Sequence, residues 1–260
     1  MFLRYTKSTP FGWILYLMGI GIRKDGRSIL EDFTAMCYNR SYNIYWGGDD
    51  HMTESQKETL RFYTTNDYLL INGLLWEEDE KKIDIFIQLI NEDGRAVMSE
   101  AIAQGLDKRW NCSKEEGERL YQIYQKRFPL IDSPAIKNQI IERARVDISN
   151  MMACMTPLAN EMVLYRNVKT KYVAHWEEGM VINHFGFSSC SLTPHIAENA
   201  TYGSSGCTLS EIIVPAGAPA IRLDLMPDVQ NEPDEVILAP GKFLITKVAQ
   251  NKIYMTCCNA

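Results

Sequence analysis

Hydrophobic and polar positions fall into two patterns along this chain, one after the other. From residue 53 to about residue 158 apolar side chains recur every three or four positions, the period of a helix that buries one face. Thr53-Glu54-Ser55-Gln56 has the form of a capping box, and Leu60, Tyr63, Tyr68, Ile71, Leu74 and Leu75 follow at roughly helical spacing. The pattern predicts further helices around 83–90, 96–105, 114–126 and 134–155, with the acidic run EEDEKK at 77–82 as a solvated loop. After Pro157 the texture changes to short apolar, β-branched runs separated by Gly, Pro and Asn: MVLYRNV, GMVINHFGFSSCSL, CTLSEIIVPAG, PAIRLDLM, DEVILAPG, KFLITKVA and KIYMT. These read as strands. A helical half followed by a strand-rich half, without alternation of the two, predicts an α+β fold rather than a doubly wound parallel sheet.

The first fifty residues fit neither pattern. Their segment YNRSYNIYWGG suits a hairpin or an irregular wrap on the helical half. The apolar run FGWILYLMGIGI at 11–22, preceded by Arg4 and Lys7, has the outline of a secretory signal, but IRKDGRS after it is a poor cleavage context, so a buried helix or strand pair is the favoured reading. It is too short to span a bilayer, and no later stretch approaches that length.

Composition narrows the classes. At 260 residues, with 46% hydrophobic and 10% aromatic content, the chain has ample material for a core, which excludes disordered and fibrous classes. Lys+Arg 27 against Asp+Glu 33 leaves a net charge of −6, so no global positive field exists to gather a phosphate backbone, and nucleic acid is not an expected partner. The 7 cysteines are odd in number and lack metal-ligand spacing, so neither a disulfide framework nor a zinc site is expected; reduced cysteines filling a core are. No repeat, low-complexity stretch or Pro/Ser linker marks a domain boundary.

Three polar positions in the strand-rich half stand out. Arg166 sits inside VLYRNV, Ser189 and Ser191 end HFGFSSCS, and Glu235 begins EVILAPG. An arginine at such a place is either half of a structural ion pair or a fork for phosphate or carboxylate; spacing alone favours the ion pair. By the same standard Glu235 is a surface residue and FSSCS a turn.

Their order changes that weighting. Leu164-Tyr165-Arg166, then Phe187-Ser188-Ser189-Cys190-Ser191, then Glu211-Ile212-Ile213-Val214-Pro215-Ala216-Gly217, then Glu235-Val236-Ile237-Leu238-Ala239-Pro240-Gly241 follow an upstream helix with Tyr63-Thr64, Tyr68, Ile71-Asn72 and Leu74-Leu75. In this order they resemble the Arg-Ser-Glu class of mono-ADP-ribosyltransferase toxins, which includes clostridial binary-toxin enzymes and Rho-modifying exoenzymes. The resemblance covers about residues 53–250. It implies a single domain over 53–260, with a helical lobe, 53–158, packed on a mixed, mostly antiparallel β-sandwich, 159–260, that binds NAD+; residues 1–52 are an extension of unassigned role.

What the resemblance implies chemically is cleavage of the nicotinamide–ribose bond of NAD+ through an oxocarbenium-like transition state, as in glycoside hydrolysis, and transfer of ADP-ribose to an acceptor. Glu235 would be the catalytic glutamate that favours positive charge on the sugar. Arg166 would hold the pyrophosphate, and Ser189 would hold Glu235 and the ribose, with Ser191 supporting them by bonding nearby backbone. Tyr63, Tyr68, Asn72 and Phe187 would contact the nucleotide, the backbone at Asn167 would hold the carboxamide, and Tyr202 would be an aromatic lid. For the tyrosines the other reading is that both face the core. NAD+ is the substrate, and no metal is implied.

The sequence departs from the family at several places. Cys190 stands where Thr is usual and is expected to pack on the opposite face of its strand from the two serines. Asn167 stands where Gly or Arg is common, and the stretch HIAENATYGSSG lacks the additional arginine often found there. Pro233, two residues before Glu235, replaces the Glu or Gln that reads the acceptor, and proline offers neither function; Glu232 or Asp234 would have to take over. The resemblance implies a protein acceptor in a target cell, a secreted or injected effector working in that cell's cytosol, a possible separate delivery component, and acceptor contacts around residues 77–130. Pro233 keeps an NAD+ glycohydrolase as the alternative, and a non-catalytic interaction module is the alternative of another class.

Overall fold

A computed structural model describes residues 52–76, 80–110, 112–200, 206–226, 229 and 234–259. Its elements follow in chain order. The helices are α1 (Glu54–Phe62), continued through a wider π turn (Tyr63–Asp67) into α2 (Tyr68–Trp76), then α3 (Glu80–Gln104), α4 (Leu106–Trp110), α5 (Lys114–Arg127) and α6 (Pro134–Ala153). The second half holds β1 (Thr156–Pro157), β2 (Met162–Lys169), α7 (Thr170–Val173), β3 (Val181–His184), β4 (Ser188–Ser191), α8 (Pro194–Ala200), β5 (Cys207–Val214) and β6 (Pro219–Arg222). A 3-10 turn (Leu223–Leu225) precedes β7 (Glu235–Leu238), β8 (Gly241–Ala249) and β9 (Lys252–Cys257). The chain divides into two compact units: one holds Asn66–Val146, and the other takes the described residues up to Thr65 and resumes at Asp147.

The helical unit buries Leu70, Ile71, Phe86, Ile90, Tyr124, Phe128 and Ile140. Where the sequence predicts two helices on either side of Gly94, the unit has the single helix α3. A mid-helix glycine costs about 1 kcal/mol relative to alanine, but a Cβ at Gly94 would lie 2.5 Å from the Phe128 ring, so only glycine lets that ring close on the helix. The run EEDEKK is likewise not all loop, because α3 begins at Glu80. Ser113 caps α5 by accepting the Glu116 N–H at 3.2 Å, and Pro134 opens α6, where its missing N–H is no loss. Asp67, 1% exposed, accepts from Arg127 Nε at 2.8 Å and lies 3.5 Å from Arg143, a buried charge held by two guanidinium groups.

In the strand-rich unit the predicted capping box is present. Thr53 accepts the Gln56 N–H at 3.2 Å, and Gln56 Oε1 accepts the Thr53 N–H at 2.9 Å. Farther along α1, Thr59 donates to Asp147 Oδ1 at 2.8 Å and accepts from Asn150 at 3.0 Å, which ties α1 to the last turns of α6. Among the described residues the strands make one 9-stranded hydrogen-bonded sheet, in the order β1-β6-β7-β4-β2-β5-β9-β8-β3, antiparallel throughout except for β5 with β9. Only Ala239 and Pro240 link β7 to β8, although β4, β2, β5 and β9 lie between them in that order. On a flat sheet those five spacings would span roughly 24 Å, more than twice the roughly 10 Å such a link reaches. The sheet therefore curls back on itself. Val236 and Leu238 of one wing and Phe243, Ile245 and Met255 of the other share one core with Leu164 and Ile212.

The sequence pattern did not anticipate β1, α7 or α8, each too short to carry a period. No described helix is long and apolar enough to cross a membrane.

Candidate active site

Strand alternation sorts the residues of β4. Cys190 points into the core, 4% exposed, and burial pushes its thiol up to about 12, so it is no nucleophile. Ser189 and Ser191 point the other way. On β7 the register sets Glu235 opposite Ser191 and Val236 opposite Cys190, so Glu235 shares the serine face and Val236 enters the core. There Ser189 Oγ donates to Glu235 Oε1 in a short hydrogen bond. The serine is exposed, while the carboxylate is 8% exposed. Ser191 accepts the Thr193 N–H at 3.0 Å.

Asp234, immediately before the glutamate, has φ 62°, a left-handed conformation that aspartate tolerates better than most residues. It is pinned on both sides of its Cα. Its carbonyl accepts the Leu192 N–H at 2.9 Å, and its carboxylate accepts from Thr193 Oγ1 at 2.6 Å. These bonds fix the entry to β7 and engage one of the two side chains, with Glu232, that would have to stand in at the acceptor position. Pro233 and Glu232 lie outside the described residues, as does Tyr202.

Arg166 comes from β2, the strand beside β4. The two strands share one ladder pair, Tyr165 with Ser191, and beyond it no further pair joins Arg166 and Asn167 to β4. On its other side β2 stays paired with β5 for its whole length. β2 and β4 thus part at the level of the motif residues. Asn167 turns its side chain away, donating to the Glu198 carbonyl of α8 at 3.3 Å.

The structural ion pair that spacing favours for Arg166 is absent: among the described residues it has no carboxylate partner within ion-pair distance. Its partner is His184 at the end of β3, with Arg166 Nη1 3.2 Å from Nε2. The other ring nitrogen, Nδ1, lies 2.8 Å from the Gly186 carbonyl. A carbonyl only accepts, so Nδ1 carries the proton and Nε2 is left as an acceptor for the guanidinium. Burial, with the Arg166 charge beside it, holds His184 down at about 3, which keeps the ring neutral. His184 belongs to none of the sequence motifs, and nothing in its spacing marks it.

Two residues expected to touch the nucleotide are packed on each other. Tyr63 is 2% and Phe187 0% exposed; their rings meet edge to face at 5.9 Å, and Tyr63 Oη donates to the Phe187 carbonyl at 3.3 Å. Tyr63 is thus buried against Phe187, which immediately precedes β4. Tyr68, half-buried, and Asn72, 7% exposed, lie on α2 in the helical unit. That unit also carries a groove of about 530 Å³ whose walls include Asp84, Gln88, Glu92, Arg95 and Lys137, with Lys137 paired to Asp84.

On β2, β4 and β7 the chain thus sets a guanidinium that no described carboxylate pairs with and a buried carboxylate held by a hydroxyl. Such a pair serves a substrate that is anionic at one part and develops positive charge at another. Among the described residues no group of three or more His, Cys, Asp or Glu is placed to hold a metal.

No family model matches the chain, and no curated protein does. Among solved structures it is similar to the Vis toxin of Vibrio splendidus, an ADP-ribosyltransferase, with 16% identity over 98% of this chain and 87% of that one and a TM-score of 0.39. It is also similar to Plx2a, an ADP-ribosyltransferase toxin of Paenibacillus larvae (17% identity, 79% and 87% covered, TM-score 0.40). A third is the Clostridium limosum C3 exoenzyme (16% identity, 80% and 86% covered, TM-score 0.42). At this degree of similarity the chemistry has to be carried by the chain's own residues.

Proposed function

We propose that this chain is a mono-ADP-ribosyltransferase that cleaves the nicotinamide–ribose bond of NAD+ and passes ADP-ribose to a protein. The observation that carries this reading is the pairing, on adjoining strands, of Arg166, which has no carboxylate partner among the described residues, and Glu235 bonded to Ser189. Arg166 binds the pyrophosphate of NAD+ with the donors that His184 does not engage. Asn167, its side chain tied to α8, offers backbone to the carboxamide.

In the reaction the C1′–N bond breaks and its electron pair leaves with nicotinamide, which departs neutral. Positive charge grows on the ribose, and the Glu235 carboxylate, accepting from the 2′-hydroxyl, favours that charge more than it favours the ground state. Ser189 keeps the carboxylate aimed. The acceptor atom then bonds to C1′ and gives up its proton to solvent water. Effector use in another cell's cytosol, with a separate delivery component, belongs to the same reading, and the groove of the helical unit is where acceptor contacts are to be sought.

The test is incubation with labelled NAD+ and a host-cell lysate. A labelled protein band that disappears in Glu235→Ala supports the reading; no band, with wild type and variant alike, removes it. A second reading, NAD+ glycohydrolase, is favoured by Pro233, which offers no group to orient a protein acceptor, together with the engagement of Asp234 by Thr193. Nicotinamide release at an undiminished rate without added protein would select it.

A further inference from the structure

We propose that His184 is a positioning residue for NAD+ binding: through Nε2, with Nδ1–H given to the Gly186 carbonyl, it holds the Arg166 guanidinium in place without neutralising it. This rests on the reading of Arg166 as the pyrophosphate ligand.

A guanidinium on a four-bond stem needs something to hold it if it is to meet a ligand in one geometry. The usual device is a carboxylate, but a bidentate carboxylate takes two donors and cancels the charge that a phosphate is meant to feel. A neutral imidazole takes one donor of five and leaves the full positive charge. The ring is itself held twice, by the Gly186 carbonyl and by edge-on packing against Phe243 at 6.3 Å between centroids. Gly186 lies three residues before Ser189, so the segment that orients the histidine leads directly into the strand that holds Glu235. One short run thus sets the cation through His184 and the carboxylate through Ser189. The neutral ring is consistent with burial and with the adjacent guanidinium, both of which oppose a second positive charge.

Three measurements test it. In nitrogen-15 spectra of the free protein, His184 should show a protonated Nδ1 and an unprotonated Nε2, and the Arg166 side-chain signals should show restricted rotation; the opposite tautomer overturns the proposal. By calorimetry, His184→Leu should weaken NAD+ binding roughly tenfold, the effect of losing one hydrogen bond to a charged group, and by more than it lowers kcat. His184→Gln, whose side-chain oxygen reaches the place of Nε2, should recover binding to within about threefold. Wild-type affinity in folded His184→Leu, or no recovery in folded His184→Gln, overturns the proposal. If His184→Leu does not fold, His184→Gln and the wild-type spectra still decide. Should the wild-type protein fail to bind NAD+ at all, the functional reading fails by itself, and the tautomer, with the rotation of Arg166 in wild type against His184→Leu, decides whether the positioning stands.

Discussion

Ser189 donates its hydroxyl proton to Glu235 across neighbouring antiparallel strands, 46 residues apart in sequence. The carboxylate is nearly buried and the hydroxyl is exposed, so the serine brings a charged group from the protein interior to the edge of the site in a defined orientation. Glu235→Gln keeps the size of the side chain and an oxygen for Ser189 but removes the negative charge. NAD+ binding by calorimetry should stay within about threefold of wild type, while nicotinamide release falls by roughly 10²–10³. An affinity loss as large as the rate loss would mean that Glu235 binds the ground state.

Arg166→Lys preserves the charge and removes the fork. Since the proposed ligand is a diphosphate gripped by several N–H groups, NAD+ affinity should fall by roughly 10–100-fold. Equal binding by the lysine variant would show that charge alone suffices there.

Cys190→Thr replaces a core thiol by a group of similar size whose hydroxyl can use the Ser188 carbonyl, which already accepts from Sγ at 3.5 Å. Its kcat/KM should remain within about twofold of wild type. Alkylation followed by mass spectrometry should label exposed Cys258 first and leave Cys190, its thiol held protonated to about 12, untouched at pH 8. Early labelling of Cys190 would contradict its placement in the core.

Tyr63→Phe removes one hydrogen bond, to the Phe187 carbonyl, and leaves the ring packing in place. Stability should drop by about 0.5–1.5 kcal/mol in chemical denaturation, with NAD+ affinity unchanged. A large affinity loss without a stability loss would restore the tyrosine to the nucleotide site.

His184 supplies a pH dependence with a definite sign. Its folded value of about 3 lies below the ordinary 6.5 because burial and the Arg166 charge oppose protonation. Between those values the unfolded chain binds a proton that the folded chain refuses, so stability present above about pH 6.5 is lost as the pH falls toward 3. Chemical denaturation at pH 7 and pH 4.5 should show wild type losing about 2–3 kcal/mol more than His184→Gln between the two conditions. Equal losses would mean that the ring is already charged in the folded protein or freely hydrated.

Local order determined what could be read from the residues alone. The Thr53 box caps α1 as its spacing requires, and the strand runs fall where β-branched residues cluster between turn formers. The opposite facing of Cys190 and its two serines follows from a period of two, which no packing is needed to establish. The motif residues Arg166, Ser189 and Glu235 were legible as a set only through their order. Tertiary structure decided the rest. It ran α3 through Gly94, where the Phe128 ring occupies the space a side chain would need, and it turned Tyr63 and Phe187 toward each other. It also decided what Arg166 touches. β3 ends the sheet, separated from β2 by β5, β9 and β8, so on a flat sheet His184 and Arg166 would be far apart. They meet because the sheet curls over one core, and burial of apolar surface across the whole unit, not any local spacing, is what bends it.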